Sequence, residues 1–204
     1  MILSDIDIRK HLGEHSSLVE PFCEDRLQGA SYDLSISDKI AVFKKQVCTI
    51  DLADQSAIDG VYEQQTLSAS GYVLNPGEYI LVTVSEKLNI PINMVAHIRP
   101  RTRFTRLGVI VSAQHCNPGY SGVLQLGMFN ASPNAIVIKP NLRVAQVVFE
   151  ELTSPASSEK QYQNKHDAAY MGENEFRGAI FGDSELPPEA KAIFDEILKK
   201  IEEA

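Results

Sequence analysis

With 204 residues, 44% hydrophobic and 23% charged, the chain has the length and composition of one compact domain with at most a small appendage. Its formal net charge of −8 and pI of about 5.1 exclude the extended basic face of a general nucleic-acid or membrane-surface binder, and leave room for a small anion held by a few cations. The start MILSDIDIRKHLG lacks the apolar stretch of a signal peptide, and no run approaches the roughly 18 apolar residues of a membrane span. Cys23, Cys48 and Cys116 form no CxxC pair, so a cytoplasmic protein with reduced thiols is expected.

Ser4-Asp5-Ile6-Asp7 has the form of a capping box and Gly13 that of a stop, which predicts a short helix over residues 5–12. From there to about residue 150, apolar runs of four to eight residues recur. They are YDLSI (32–36), KIAVF (39–43), YILVTV (79–84), NMVAHI (93–98), GVIVSA (108–113), GVLQLGMF (122–129), AIVIK (135–139) and RVAQVVFE (143–150). Turn signals separate them at Asn75-Pro76-Gly77, Asn117-Pro118-Gly119 and Ser132-Pro133-Asn134. Short strands at this spacing predict a mostly antiparallel sandwich, jelly roll or barrel over residues 1–150. Residues 151–183 are polar, with Tyr162 and Tyr170 among them, and read as a surface arm. After Pro187-Pro188 the stripe Ile193, Phe194, Ile197, Leu198, Ile201 predicts an amphipathic helix over 184–204.

One stretch stands against the overall acidity. Arg99-Pro100-Arg101-Thr102-Arg103-Phe104-Thr105-Arg106 puts four guanidinium groups into eight residues. A planar guanidinium donates two parallel hydrogen bonds to phosphate, and a cluster offsets several negative charges. On a strand, Arg99, Arg101 and Arg103 would share one face, so some of them are equally read as solvated or paired with carboxylates.

Several segments in order resemble the dCTP deaminase/dUTPase superfamily, and its dCTP deaminase branch in particular. They are the N-terminal helix, Gly29-Ala30-Ser31-Tyr32-Asp33-Leu34, Leu74-Asn75-Pro76-Gly77-Glu78, Thr83-Val84-Ser85-Glu86 and Leu88-Asn89-Ile90-Pro91. The arginine stretch ending Arg106-Leu107-Gly108 follows, then Pro118-Gly119-Tyr120-Ser121-Gly122, Asn130, Asn141-Leu142-Arg143-Val144-Ala145-Gln146, and an arm ending Asp167-Ala168-Ala169-Tyr170. The resemblance implies a mostly β, distorted jelly-roll subunit in a homotrimer. Its sites would lie between subunits and bind a deoxynucleoside triphosphate, dCTP or dUTP, together with Mg²⁺, and nucleic acid or membrane would not be a partner. It further implies that Arg101, Thr102 and Arg106 face the triphosphate and reacting base, with Thr102 and Arg106 in the catalytic set. Gln146 would be a phosphate or base contact, Asn117 would hold a water or the deoxyribose hydroxyl, and Tyr162, Lys165 and Tyr170 would belong to the arm closing over the nucleotide. No protein-held metal ligand is expected.

The pattern also breaks. Aligning GYSGVLQLGMFN without gaps puts Gly127 where the family's deaminases carry the glutamate that activates water, and glycine can do no acid–base work. Gln125, two residues earlier on the same face, is neutral and about 6–7 Å away. Asn117 stands where dUTPases hold water with an aspartate. Arg103 replaces the motif's second serine, Ala169 a lysine and Glu173 a glutamine. His115 is then the nearest ionisable candidate base, and Asp33 a further carboxylate that serves a turn or interface equally well. Three readings stay open: an enzyme with a relocated base, a non-catalytic nucleotide binder, and an interaction scaffold.

Overall fold

The structure, a computed structural model, describes residues 1–12, 17–44, 49–52, 54–165 and 168–181. Two compact units emerge: Met1–Phe43 with Glu63–Phe176, and Lys44–Tyr62 with Arg177–Ala204. The predicted helix over 184–204, Cys48 and Gly13 lie outside the described residues.

The larger unit begins with α1 (Asp5–Lys10). Ser4 caps it, its Oγ accepting from Asp7 N at 3.3 Å while Asp7 accepts from the Ser4 hydroxyl at 2.8 Å. The helix ends at Lys10, two residues short of the predicted Leu12, with His11 as its cap and Ile8 fully buried. The strands follow in chain order: β1 (Val19–Glu20), β2 (Leu27–Gln28), β3 (Ser31–Phe43), β4 (Tyr62–Thr66), β5 (Tyr72–Leu74), β6 (Tyr79–Asn89), β7 (Met94–Pro100), β8 (Val109–Val111), β9 (Gln114–Cys116), β10 (Ser121–Asn130), β11 (Ile136–Ile138) and β12 (Arg143–Glu151). All eight predicted apolar runs fall on strands, and the first two merge into the single long β3.

The main sheet curls in the order β8-β10-β6-β3-β12-β7-β9, and every registered pair in it is antiparallel. Tyr32, Leu34 and Ile36 of β3 alternate into the core with Ile80, Val82 and Val84 of β6, Leu126 and Met128 of β10, and Val147 and Phe149 of β12. The other face of β3 is buried too, and there the alternate residues are polar. Ser35 donates its N–H and hydroxyl to Glu86 at 2.9 Å each, and Glu86 is ion-paired with Arg26. Asp33 lies two residues away on that face and reaches the candidate site.

In the smaller unit, Asp54 caps α2 (Gln55–Gly60) by accepting from Ser56 N at 2.9 Å and Ala57 N at 3.1 Å. Gln55 Nε2 donates to the Ala179 carbonyl at 3.0 Å.

Candidate functional site

The arginine stretch is not a continuous strand, which corrects the shared-face expectation for Arg99, Arg101 and Arg103. β7 runs only to Pro100, whose ring carries no N–H to extend the ladder. Arg101 N still reaches the Val144 carbonyl at 3.2 Å, and the chain then turns into α3 (Thr102–Arg106) with Arg101 as its N-cap residue. Phe104, 4% exposed, pins this single turn to the core. Gly108, at φ +76°, ends it: a Cβ there would meet Ser132 at 3.0 Å. Arg103 and Arg106, three residues apart on one turn, stay exposed. Arg99 remains on β7 opposite Gln146.

Arg101, Thr102, Arg103, Arg106 and Gln146 line one open cleft of about 360 Å³. Its floor is a polar cluster centred on Asp33, which has no solvent exposure. Arg101 forms an ion pair with the Asp33 carboxylate, and Arg143 approaches it at 3.3 Å. Gln146 Nε2 and Gln28 Nε2 donate to it at 3.3 and 3.4 Å. Asp33 thus neutralises one of the two floor guanidiniums. Among the described residues no carboxylate pairs with Arg103 or Arg106, so the mouth of the cleft is cationic. An anion with several oxygens matches that lining.

His115 and Asn117 do not join this lining. His115 sits on β9, directly opposite His97 of β7, with the two Nδ1 atoms 3.5 Å apart, and His97 Nε2 lies 3.6 Å from Glu150. Partial burial lowers the His115 pKa first and neighbouring His97 second, while a hydrogen bond with Asn117 works the other way. Cys116, between them in sequence, is buried, which pushes its thiol up to about 12 and removes it as a nucleophile.

The arm residues gather at the Asn117–Tyr120 turn. Tyr162 N donates to the Pro118 carbonyl at 2.7 Å, and its ring meets Tyr120 edge-on at 5.5 Å. The Tyr162 hydroxyl accepts from Tyr170 N at 3.2 Å, and Lys165 N donates to the Tyr162 carbonyl at 3.2 Å. Gly172 N donates to the Ser121 carbonyl at 2.8 Å, and Val123 N to that of Glu173 at 2.7 Å, which lays the arm along the start of β10.

Gly127 is buried in the middle of β10, its N–H donating to Ser112 Oγ and its carbonyl accepting from Ser112 N, both at 2.9 Å. The space a side chain would take there is filled by the Tyr79 phenol. Sequence reading missed Tyr79 and Arg143. A glycine inside a strand signals a close approach, but it does not name the approaching group.

Residues 2–152 match the family model described as dCTP deaminase-like. The chain is 32% identical over 179 residues to a dCTP deaminase of Natronomonas pharaonis, covering 85% of this chain and 91% of that protein. It is 34% identical over 180 residues to a dUMP-forming dCTP deaminase of Methanosphaera stadtmanae, covering 84% and 89%. Among solved structures, the 2'-deoxycytidine 5'-triphosphate deaminase of Agrobacterium tumefaciens shares the fold, with a TM-score of 0.59 at 23% identity over 72% of this chain. That match spans 47% of the Agrobacterium chain. The protein belongs to the dCTP deaminase-like family. No described helix is long and apolar enough to cross a membrane.

Proposed function

We propose that this protein binds a pyrimidine deoxynucleoside triphosphate, dCTP or dUTP, with the phosphates in the arginine cleft, and that it lacks the family's deamination step. One observation carries the reading: Arg101, Thr102, Arg106 and Gln146, scattered over 46 sequence positions, converge on a single cleft. Arg103 and Arg106 at its mouth supply charge-assisted hydrogen bonds to phosphate oxygens, Thr102 a hydroxyl, and Gln146 a neutral amide. Arg101, tied to Asp33, holds the floor in shape.

Hydrolytic deamination needs a group that takes a proton from water and returns it to the leaving amine. Position 127 offers none. His115 is the ionisable candidate that a relocated mechanism, deaminase or dUTPase-type diphosphatase, would use, and its lowered pKa keeps it neutral near pH 7. It sits on β9 against His97, outside the cleft lining of its own subunit, so the non-catalytic reading rests on Gly127.

The cleft does not fit a protein-held Mg²⁺. Its one carboxylate, Asp33, is engaged at both oxygens, and no group of three or more His, Cys, Asp or Glu among the described residues suits a metal. Mg²⁺ enters this reading as a companion of the triphosphate. The proposal extends to a homotrimer of distorted jelly-roll subunits in the cytoplasm, with the arm's tyrosines helping to close a site shared between subunits.

The test is product analysis. The protein is incubated with dCTP and, separately, dUTP in Mg²⁺, the products are separated by anion exchange, and nucleotide binding is read by thermal shift. Stabilisation without dUTP, dUMP or pyrophosphate is the expected outcome. Turnover at a rate useful to a cell contradicts the non-catalytic reading, and loss of that turnover in His115→Asn assigns the base.

A further inference from the structure

Tyr79 stands on β6 directly opposite Phe129 of β10, and its ring leans along the sheet over Gly127. A Cβ built on Gly127 would lie 2.8 Å from Tyr79 Cζ and 3.0 Å from Cε2, and closer still to the hydroxyl oxygen. Real Cβ atoms do not come so near, so any side chain at 127 must displace the phenol. The backbone cannot retreat easily, because Ser112 clasps both the N–H and the carbonyl of Gly127. Phe43 packs against the Tyr79 ring with centroids 5.9 Å apart, which braces it.

The hydroxyl has no hydrogen-bond partner among the described residues, and burial raises its pKa, so it is a neutral group able to donate and accept. On the same face, two residues from Gly127, Gln125 Oε1 accepts from Thr83 Oγ1 at 2.8 Å, while its Nε2 is buried without a partner. Two neutral polar groups therefore flank Gly127 with hydrogen-bonding capacity unused by the protein. Around them lie Leu81, Phe129 and Phe43. Apolar surface with a few neutral donors and acceptors suits the edge of a heteroaromatic base, where the arginine cleft suits phosphate.

We propose that Tyr79 takes the place of the side chain missing at 127, its phenol filling that position and presenting its hydroxyl, beside the Gln125 amide, to the pyrimidine of a bound nucleotide. This rests on the nucleotide-binding reading above and adds the group that meets the base. A neutral phenol holds a base by a hydrogen bond but does not take a proton from water at neutral pH, so the substitution converts a reacting position into a recognising one.

The test is titration of wild type, Tyr79→Phe and Gly127→Ala with dCTP and with inorganic tripolyphosphate. Removing one neutral hydrogen bond is expected to weaken dCTP binding about fivefold in Tyr79→Phe and to leave tripolyphosphate binding unchanged. Gly127→Ala, which pushes the phenol aside, should show the same selective loss. Unchanged dCTP affinity in both variants overturns the proposal while the arginine cleft stands. Equal loss for dCTP and tripolyphosphate also overturns it, since Tyr79 would then act through the fold. Wild type that binds neither titrant overturns both the nucleotide reading and the role of Tyr79.

Discussion

Arg101 and Asp33 form an ion pair beneath the cleft, the carboxylate with no exposure and the guanidinium side chain 18% exposed. Asp33 comes from the sequence motif on β3, and Arg101 from the junction of β7 and α3. The pair joins two motifs 68 positions apart and sets the depth at which Thr102 and Gln146 line the cleft. Its role is architectural. Of the three arginines lining the cleft, Arg103 and Arg106 are left facing outward.

Removing the carboxylate alone would leave Arg101, 18% exposed, without its ion-pair partner and Arg143, 39% exposed, turned to water. Asp33→Ala is expected to destabilise the fold by about 1–3 kcal/mol, the cost of leaving partly buried hydrogen-bonding groups without their partner. Urea unfolding checks this through a lower midpoint at an unchanged slope. A loss under about 1 kcal/mol would mean that the guanidiniums find water or another acceptor.

How far the sequence reached can be seen around this pair. The strands were legible because their apolar runs are long or alternate and end in Pro-Gly signals, and Gly77 and Gly119 do take the positive φ such turns need. The turn of α3 was not legible. Five residues with one buried apolar side chain, Phe104, carry too little periodicity to separate helix from strand. The set Arg101, Thr102, Arg106 and Gln146 came from motif resemblance. What Asp33 does depends on partners from β7 and β12, which spacing along the chain cannot reveal. Tyr79 escaped for a similar reason: its lean over Gly127 is a matter of cross-strand register.

Partial burial of the His115 imidazole beside His97 makes stability depend on pH with a definite sign. His115 has a lowered pKa in the fold, so between that value and the ordinary value near 6.5 the unfolded chain binds more protons than the folded one. Stability therefore falls as pH drops through that window. His97, Asn117 and Glu150 are the groups around this pair. Melting temperatures measured from pH 7.5 down to 5 should decline less steeply in His115→Asn than in wild type. Identical slopes would assign the dependence elsewhere.

Tyr162 anchors the arm through its ring contact with Tyr120 and the hydrogen bond from Tyr170 N to its hydroxyl. In Tyr162→Ala, trypsin cleavage after Lys160 and Lys165 is expected to quicken by about fivefold or more, in line with the ~0.5–1.5 kcal/mol of an aromatic pair plus one hydrogen bond. The strands of the main sheet should stay resistant. Unaltered cleavage would show that backbone bonds alone, such as Tyr162 N to Pro118 O, hold the arm.

The measurement that bears most directly on the arginine cleft is calorimetric titration of dCTP into wild type and Arg106→Ala. Arg106 is exposed, on a short turn, and makes no described ion pair, so its loss should leave the melting temperature unchanged. Wild type is expected to bind, and Arg106→Ala to bind about 10- to 100-fold more weakly, the range a charge-assisted hydrogen bond supports. Equal affinity in the two proteins, or no binding by wild type, would contradict the assignment of this cleft to a triphosphate.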